Sequence, residues 1–171
     1  MPRKLLLLLT VLGASCFPGM NASARESLYS PGTATKPTTG QQAMLGPKAS
    51  RYRYDARMLN AAKIAQERAR RSSTYSCWRY VKTALLASKV ISSYPQTVYA
   101  KQAGGELQKS YGFKKITVKD PYKAPVGSVL VYGGGGPGHV EIRTASGFVS
   151  DFFSMKPSPR PLLGVYVKPK A

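Results

Sequence analysis

The spacing of apolar residues changes near Lys114, and this change constrains the fold more than any other feature of the chain. Before it, apolar side chains recur at helical spacing in three segments. After it, short runs rich in Val, Ile, Phe and Tyr are separated by Gly and Pro. Helices followed by a series of closely connected strands indicate an α+β fold with a mostly antiparallel sheet.

The periodic segments predict the elements of this fold. Helices are predicted at 55–71, 77–90 and 97–111, with Ser76 suited to cap the second and Gly112 to end the third. Strands are predicted at 115–118, 127–132, 139–144, 148–153 and 163–168. The N-terminal helices are therefore expected to pack on one face of the sheet that follows them.

The first 24 residues have the pattern of an export signal. A basic start precedes a short apolar run at 5–12, and Ala22-Ser23-Ala24 provides a small-x-small cleavage site. The apolar run is too short to span a bilayer comfortably. Lipidation of Cys16 is the alternative, although its preceding leucine lies one position too far upstream. We therefore expect export to the periplasm or the exterior.

Two regions follow the predicted signal. Residues 25–50 are rich in Ser, Thr, Pro, Gly and Gln, which predicts a flexible leader or linker. Residues 51–171 are then expected to form one folded domain, and we expect a monomer.

The whole chain has a formal net charge of +19. Such a charge attracts polyanions to the protein surface. In an exported protein these are cell-wall polymers, lipopolysaccharide and anionic lipids, so an anionic envelope polymer is a possible partner. Nucleic acid is not expected there, because only the charge favours it.

One thiol and one imidazole are the candidates for chemistry. Removal of the signal would leave Cys77 as the one cysteine, and His139 is the one histidine of the chain. Cys77 begins a predicted helix and His139 begins a predicted strand. A thiolate nucleophile with an imidazole base is the machinery of a cysteine hydrolase. One cysteine and one histidine cannot form a usual zinc site, so we expect no metal and no cofactor.

The predicted position of Cys77 favours this chemistry. The free N–H groups and the dipole at a helix N-terminus stabilise negative charge. They favour a thiolate, and the backbone N–H of Cys77 can also receive the oxyanion of a tetrahedral intermediate.

A third residue should orient the imidazole. The connection 145–147 predicts a three-residue hairpin loop with Gly third. This register places Glu141 opposite Asp151 and puts both on the face that carries His139. Asp151 is the favoured orienter, and Glu141 is the alternative. A slip of one residue would substitute Ser150.

Four segments occur in an order that resembles the papain-like cell-wall hydrolases. The likeness is greatest to the cysteine, histidine-dependent amidohydrolase/peptidase (CHAP) group and the related NlpC-type peptidases. The segments are CWRYV at 77–81, APVGSVLV at 124–131, GHVEI at 138–142 and FVSD at 148–151. The resemblance implies a papain-like fold, a catalytic Cys77 and His139, and an acid on the next strand, where this chain has Asp151. The chain departs from the pattern with Trp78 directly after the cysteine and a four-glycine run before the histidine.

These observations lead to two main hypotheses for function. The preferred one is an exported cysteine peptidase or amidase that hydrolyses amide bonds in the peptide stems of peptidoglycan. The alternative is a non-catalytic basic module that binds an anionic polymer or a protein partner in the cell envelope. A nucleic-acid binder is a third hypothesis, motivated by charge alone.

Overall fold

The computed structural model describes residues 54–170. The helices in this range are α1 (Arg57–Glu67), α2 (Cys77–Ala87) and α3 (Ala103–Tyr111), and short 3-10 helices lie at Ala100–Gln102 and Pro121–Lys123. The strands are β1 (Lys114–Ile116), β2 (Val129–Tyr132), β3 (His139–Arg143), β4 (Phe148–Val149), β5 (Phe153–Ser154) and β6 (Leu162–Val167). The predicted export signal at 1–24 and leader at 25–50 lie outside the described residues. Within 54–170, no helix combines the length and apolarity needed to cross a membrane.

The six strands form one sheet in the order β1-β6-β2-β3-β4-β5. Each neighbouring pair is antiparallel. The helices α1 and α2 pack on each other, and α2 packs against β3 near the middle of the sheet. The predicted α+β fold, with helices packed on an antiparallel sheet, is confirmed. This packing brings the helix that begins with Cys77 onto the strand that begins with His139.

Helix α2 forms because one stripe of its side chains is apolar and buried. Val81 and Leu85 are fully buried, and each such side chain contributes roughly 1.5–3 kcal/mol on burial. The buried surface is wider than the predicted stripe, since Trp78 and Lys82 are also buried. Lys82 is accommodated because its Nζ donates to the carbonyl oxygen of Thr97 at 2.5 Å.

Helix α1 ends at Glu67, earlier than the predicted residue 71. The start of α1 is closer to the predicted start at residue 55, since the Asp55 carboxylate accepts a hydrogen bond from the backbone N–H of Arg57. The early end has a tertiary cause. The backbone N–H of Arg70 donates to the carbonyl of Asp151 at 2.8 Å, and Arg70 forms an isolated parallel β-bridge with Phe152. That pairing draws the chain out of the helix and onto the edge of the sheet.

The predicted register of the β3–β4 hairpin is wrong by one residue. Phe148 pairs with Arg143, whereas the three-residue loop predicts Thr144 as its partner. The backbone N–H of Thr144 instead donates to the carbonyl of Gly147, and its hydroxyl accepts from the backbone N–H of Gly147. Residues 144–147 therefore form a four-residue connection.

The predicted strand at 148–153 is divided in the structure. β4 ends at Val149, and β5 turns back beside it, so that Val149 pairs with Phe153. The backbone N–H of Ser150 donates to the carbonyl of Phe152 and closes the turn. Asp151 thus lies at the tip of a tight turn and not within a strand opposite Glu141.

Candidate active site

Cys77 is the first residue of α2 and is partly buried against the hydrophobic core. Ser76 occupies the N-cap position, but its hydroxyl donates to the carbonyl of Thr74 and makes no cap hydrogen bond to the helix. Among residues 54–170, the backbone N–H of Cys77 has no acceptor. This N–H is one of the groups that a helix N-terminus leaves available to a ligand.

His139 lies between Cys77 and Glu141. Its Nε2 is 3.4 Å from Oε2 of Glu141, and the two side chains are only 17% and 5% exposed. Burial lowers the pKa of His139, whereas hydrogen bonding to Cys77 and to Glu141, together with their negative charge, raises it, so that the pKa is about 9. These contacts therefore favour the protonated form of the imidazole.

Glu141 is held by contacts of its own. The hydroxyl of Tyr132 donates to Oε1 at 2.6 Å, and the backbone N–H of Ser158 lies 3.4 Å from the same oxygen. Burial and the negative charge of Glu141 raise the pKa of Tyr132 well above its ordinary value, so the phenol remains a donor. Oε1 is thus occupied, and Oε2 is left to face His139.

The strand register explains why these side chains meet. Tyr132 pairs with His139 across β2 and β3, and Glu141 lies two residues along β3. Paired residues, and residues two apart on one strand, share a face of the sheet. The rings of Tyr132 and His139 lie with their centroids 6.1 Å apart.

Asp151, the favoured third residue in the sequence, lies elsewhere. Its Oδ2 accepts hydrogen bonds from the backbone N–H groups of Thr74 at 2.6 Å and Ser76 at 3.2 Å. Its Oδ1 accepts from the hydroxyl of Ser150 at 3.0 Å. Within residues 54–170, no hydrogen bond joins Asp151 or Ser150 to His139. The structure therefore brings Cys77, His139 and Glu141 together and leaves Asp151 outside that group.

The Asp151 carboxylate organises the loop that enters α2. It is fully buried, and the hydroxyls of Ser73 and Thr74 donate to it as well. Burial raises its pKa, but the hydrogen bonds from Thr74, Ser76 and Ser150 lower it by a larger amount. The pKa of Asp151 is therefore below its ordinary value. A charged Asp151 therefore holds the residues immediately before Cys77.

This loop places an aromatic side chain in solvent two residues before Cys77 in the sequence. Thr74 and Ser76 both turn their N–H groups to Asp151, and the intervening Tyr75 adopts a left-handed conformation with φ 57°. Its side chain is 98% exposed. A left-handed conformation costs a bulky residue about 1–2 kcal/mol, so the surrounding contacts must stabilise it.

Sequence reasoning missed Tyr132 as a member of the site. The available signal was its position at the end of a predicted strand, just before the glycine run and His139. A hairpin that closed over residues 133–138 would pair it with His139, as the structure does. Within the described range, no three His, Cys, Asp or Glu side chains lie together as a metal site would require.

Comparison with known proteins gives a match in structure only. No family model and no curated protein match the sequence. The fold is similar to a chain in the crystal structure of the type VI native effector–immunity complex Tae3–Tai3 from Ralstonia pickettii. The TM-score is 0.54 and the identity 24%, over 66% of this chain and 98% of that one. A second structure of that complex, containing selenomethionine, gives a TM-score of 0.46 at 27% identity, over 56% of this chain and 80% of that one. At these values the likeness concerns the fold, and the resemblance to the CHAP and NlpC-type groups stays a prediction.

Proposed function

We propose that the protein is an exported cysteine hydrolase that cleaves amide bonds in peptidoglycan. The observation that carries the proposal is the position of His139 at the start of β3. Its Nε2 lies 3.4 Å from Oε2 of Glu141, and Cys77, at the start of α2, is close enough to raise its pKa. A nucleophile, a base and an orienting carboxylate in contact are the arrangement expected of a cysteine hydrolase.

In the proposed reaction, the Cys77 thiolate attacks the carbonyl carbon of the scissile amide. The backbone N–H of Cys77, which has no acceptor among residues 54–170, donates to the resulting oxyanion. The imidazolium of His139 donates its proton to the amide nitrogen, the C–N bond breaks, and an amine leaves. A thioester to Cys77 remains.

Water completes the cycle. His139, now neutral, accepts a proton from water as the oxygen attacks the thioester carbonyl. The C–S bond breaks, the carboxylic acid product leaves, and the thiolate beside the imidazolium is restored. Because Nε2 of His139 faces Glu141, Nδ1 is the ring nitrogen available for these transfers.

Glu141 takes the orienting role that the sequence first assigned to Asp151. Its Oε2 faces Nε2 of His139, which favours the ring orientation that presents Nδ1 to Cys77. Its negative charge also stabilises the imidazolium. Asp151 acts one step further away, because it holds the loop that carries Cys77.

Peptidoglycan is proposed as the substrate on three grounds. The four segments at 77–81, 124–131, 138–142 and 148–151 resemble cell-wall hydrolases, residues 1–24 predict export, and the large excess of basic over acidic residues suits an anionic polymer. Export can be checked by sequencing the N-terminus of the protein recovered outside the cytoplasm. A start at Arg25 is expected, and an intact Met1 would contradict export by this signal.

The catalytic part is tested with purified cell walls. The wild-type protein should lower their turbidity and release new amino and carboxyl groups. Cys77→Ala should reduce the release roughly 10⁶-fold, because removal of a nucleophile leaves only the other groups to act. Circular dichroism would verify that the variant is folded.

The remaining outcomes are equally definite. Undiminished release by Cys77→Ala would refute the mechanism. Tight, salt-sensitive binding to cell walls without release by the wild type would favour the alternative, a non-catalytic envelope-binding module.

A further inference from the structure

A polar cleft of about 1060 Å³ lies beside the proposed active site. It runs between the end of α1 and the first turns of α2. Thr74 and Ser76, which lead directly to Cys77, form part of its wall. Arg79, in the first turn of α2, also lines it. A ligand in this cleft would therefore lie next to the residues that position the nucleophile.

Three arginines line this cleft, namely Arg68, Arg70 and Arg79, and we call it the arginine cleft. Its one acidic lining residue, Glu67, lies 3.8 Å from the amine of Lys63. Among the salt bridges within residues 54–170, none involves any of the three arginines. The cleft is therefore positively charged, and its charges have no protein counter-ion in that range.

One of these arginines is held by a neutral partner. Nε of Arg70 donates to the hydroxyl of Tyr80 at 2.9 Å, and the Arg70 backbone is anchored to Asp151. Tyr80 can position the guanidinium without neutralising it. A guanidinium whose position is already restricted loses less freedom when it binds an anion.

We propose that the arginine cleft binds a carboxylate of the peptide substrate while Cys77 attacks an amide nearby. The inference rests on the proposed function, because it takes the ligand to be part of the molecule that is cleaved. A carboxylate is the anion that a peptide itself carries, and arginine pairs with it in a planar, two-bonded geometry. The cleft would then select peptides with a free carboxylate close to the scissile bond.

The test compares soluble peptidoglycan fragments with the same fragments after carbodiimide amidation of their carboxylates. For the native fragments, the double variant Arg68→Gln/Arg79→Gln should raise KM about tenfold or more, since hydrogen bonds to charged groups are the strong ones. The kcat should change much less. For the amidated fragments, the wild type should already have the raised KM, and the double variant should add little.

Arg71→Gln is the matched control. Arg71 is exposed and follows Arg70 in sequence, and its replacement removes one of the two positive charges that the double variant loses, but Arg71 does not line the cleft. Its KM should stay near the wild-type value. An equal increase of KM in Arg71→Gln would overturn the carboxylate site. A KM that changes neither with the cleft arginines nor with amidation would do the same, and both outcomes would leave the hydrolase proposal intact.

Binding to Cys77→Ala separates this inference from the proposed function. Calorimetry should detect the native fragments, with weaker binding when Arg68 and Arg79 are also replaced. If the wild type hydrolyses nothing but this arginine-dependent binding is found, the cleft is supported and the hydrolase proposal fails. If Cys77→Ala binds native and amidated fragments equally, the carboxylate site is refuted.

Discussion

At the scale of single residues, Glu141 decides the state of the proposed catalytic pair. It is almost fully buried and lies 3.4 Å from His139, and Tyr132 donates to its other oxygen. A buried carboxylate beside an imidazole favours the imidazolium. The pKa of His139 is raised from 6.5 to about 9. The contribution of the charged imidazole to the free energy of unfolding is therefore fully present below about pH 6.5 and is lost as the pH rises through about 9.

Glu141→Gln should therefore change the pH dependence of activity. The alkaline limb of kcat/KM is expected near pH 9 in the wild type, because it follows deprotonation of His139. Without the carboxylate charge it should move down by about 1–3 pH units. The measurement is the rate of amide hydrolysis between pH 5 and pH 10.

Tyr132→Phe separates orientation from charge in the same assay. It removes the hydrogen bond to Glu141 but leaves the carboxylate in place. Its alkaline limb should remain much nearer the wild-type value than that of Glu141→Gln. An unchanged limb in Glu141→Gln would show that this carboxylate does not stabilise the imidazolium.

At the scale of elements, the β2–β3 hairpin delivers His139 to the site. Gly138, immediately before it, has φ +79° and lies against neighbouring backbone. A Cβ there would be 2.6 Å from the carbonyl oxygen of Tyr132 and 2.9 Å from the backbone nitrogen of Lys101. Lys101 also donates its N–H to the carbonyl of Pro137, so the surrounding backbone is tied down.

Gly138→Ala should lower both activity and stability. The added carbon must displace backbone and strain a left-handed conformation, which costs about 1–3 kcal/mol, and the displacement would reach His139. Thermal denaturation and the hydrolysis assay measure the two effects. Gly135→Ala, in the same loop, is the control, because a Cβ there meets nothing within 4 Å. Equal behaviour of the two variants would contradict a tight fit at Gly138.

At the scale of the whole molecule, Asp151 links segments that are 75 to 78 residues apart. The turn between β4 and β5 carries the carboxylate, and the loop before α2 supplies the donors. The pKa of Asp151 is below its ordinary value of 3.8, so its contribution to stability is present above that pH and is lost as the pH falls through the lowered pKa.

Asp151→Asn should therefore destabilise the protein at neutral pH. Hydrogen bonds to a buried charge would be weakened, and a loss of roughly 1–3 kcal/mol in the free energy of unfolding is expected. Urea unfolding at pH 7 and pH 3 should give a smaller difference from wild type at the lower pH. Glu67→Gln, which removes an exposed acid, should change stability by less than about 0.5 kcal/mol. If the difference in the free energy of unfolding were as large at pH 3 as at pH 7, the stabilisation would not depend on the charge of Asp151.

Much of the fold could be predicted because its causes are local. The apolar stripe of α2 contains the buried Val81 and Leu85, and the helix before Gly112 ends where that residue adopts φ 67°. The ends of helices and strands that depend on distant partners could not be predicted. Helix α1 stops early because Arg70 pairs with the turn at Asp151, which lies far along the chain.

The sequence by itself determined the α+β order of elements and the positions of Cys77 and His139 at the starts of a helix and a strand. Those features follow from periodicity and turn residues over short stretches. Only the tertiary structure decided which acid meets the imidazole. A shift of one residue in the β3–β4 register, and the attraction of distant N–H groups to Asp151, take that carboxylate away from His139. Glu141 meets His139 because residues two apart on one strand share a face whatever the register of the neighbouring strand.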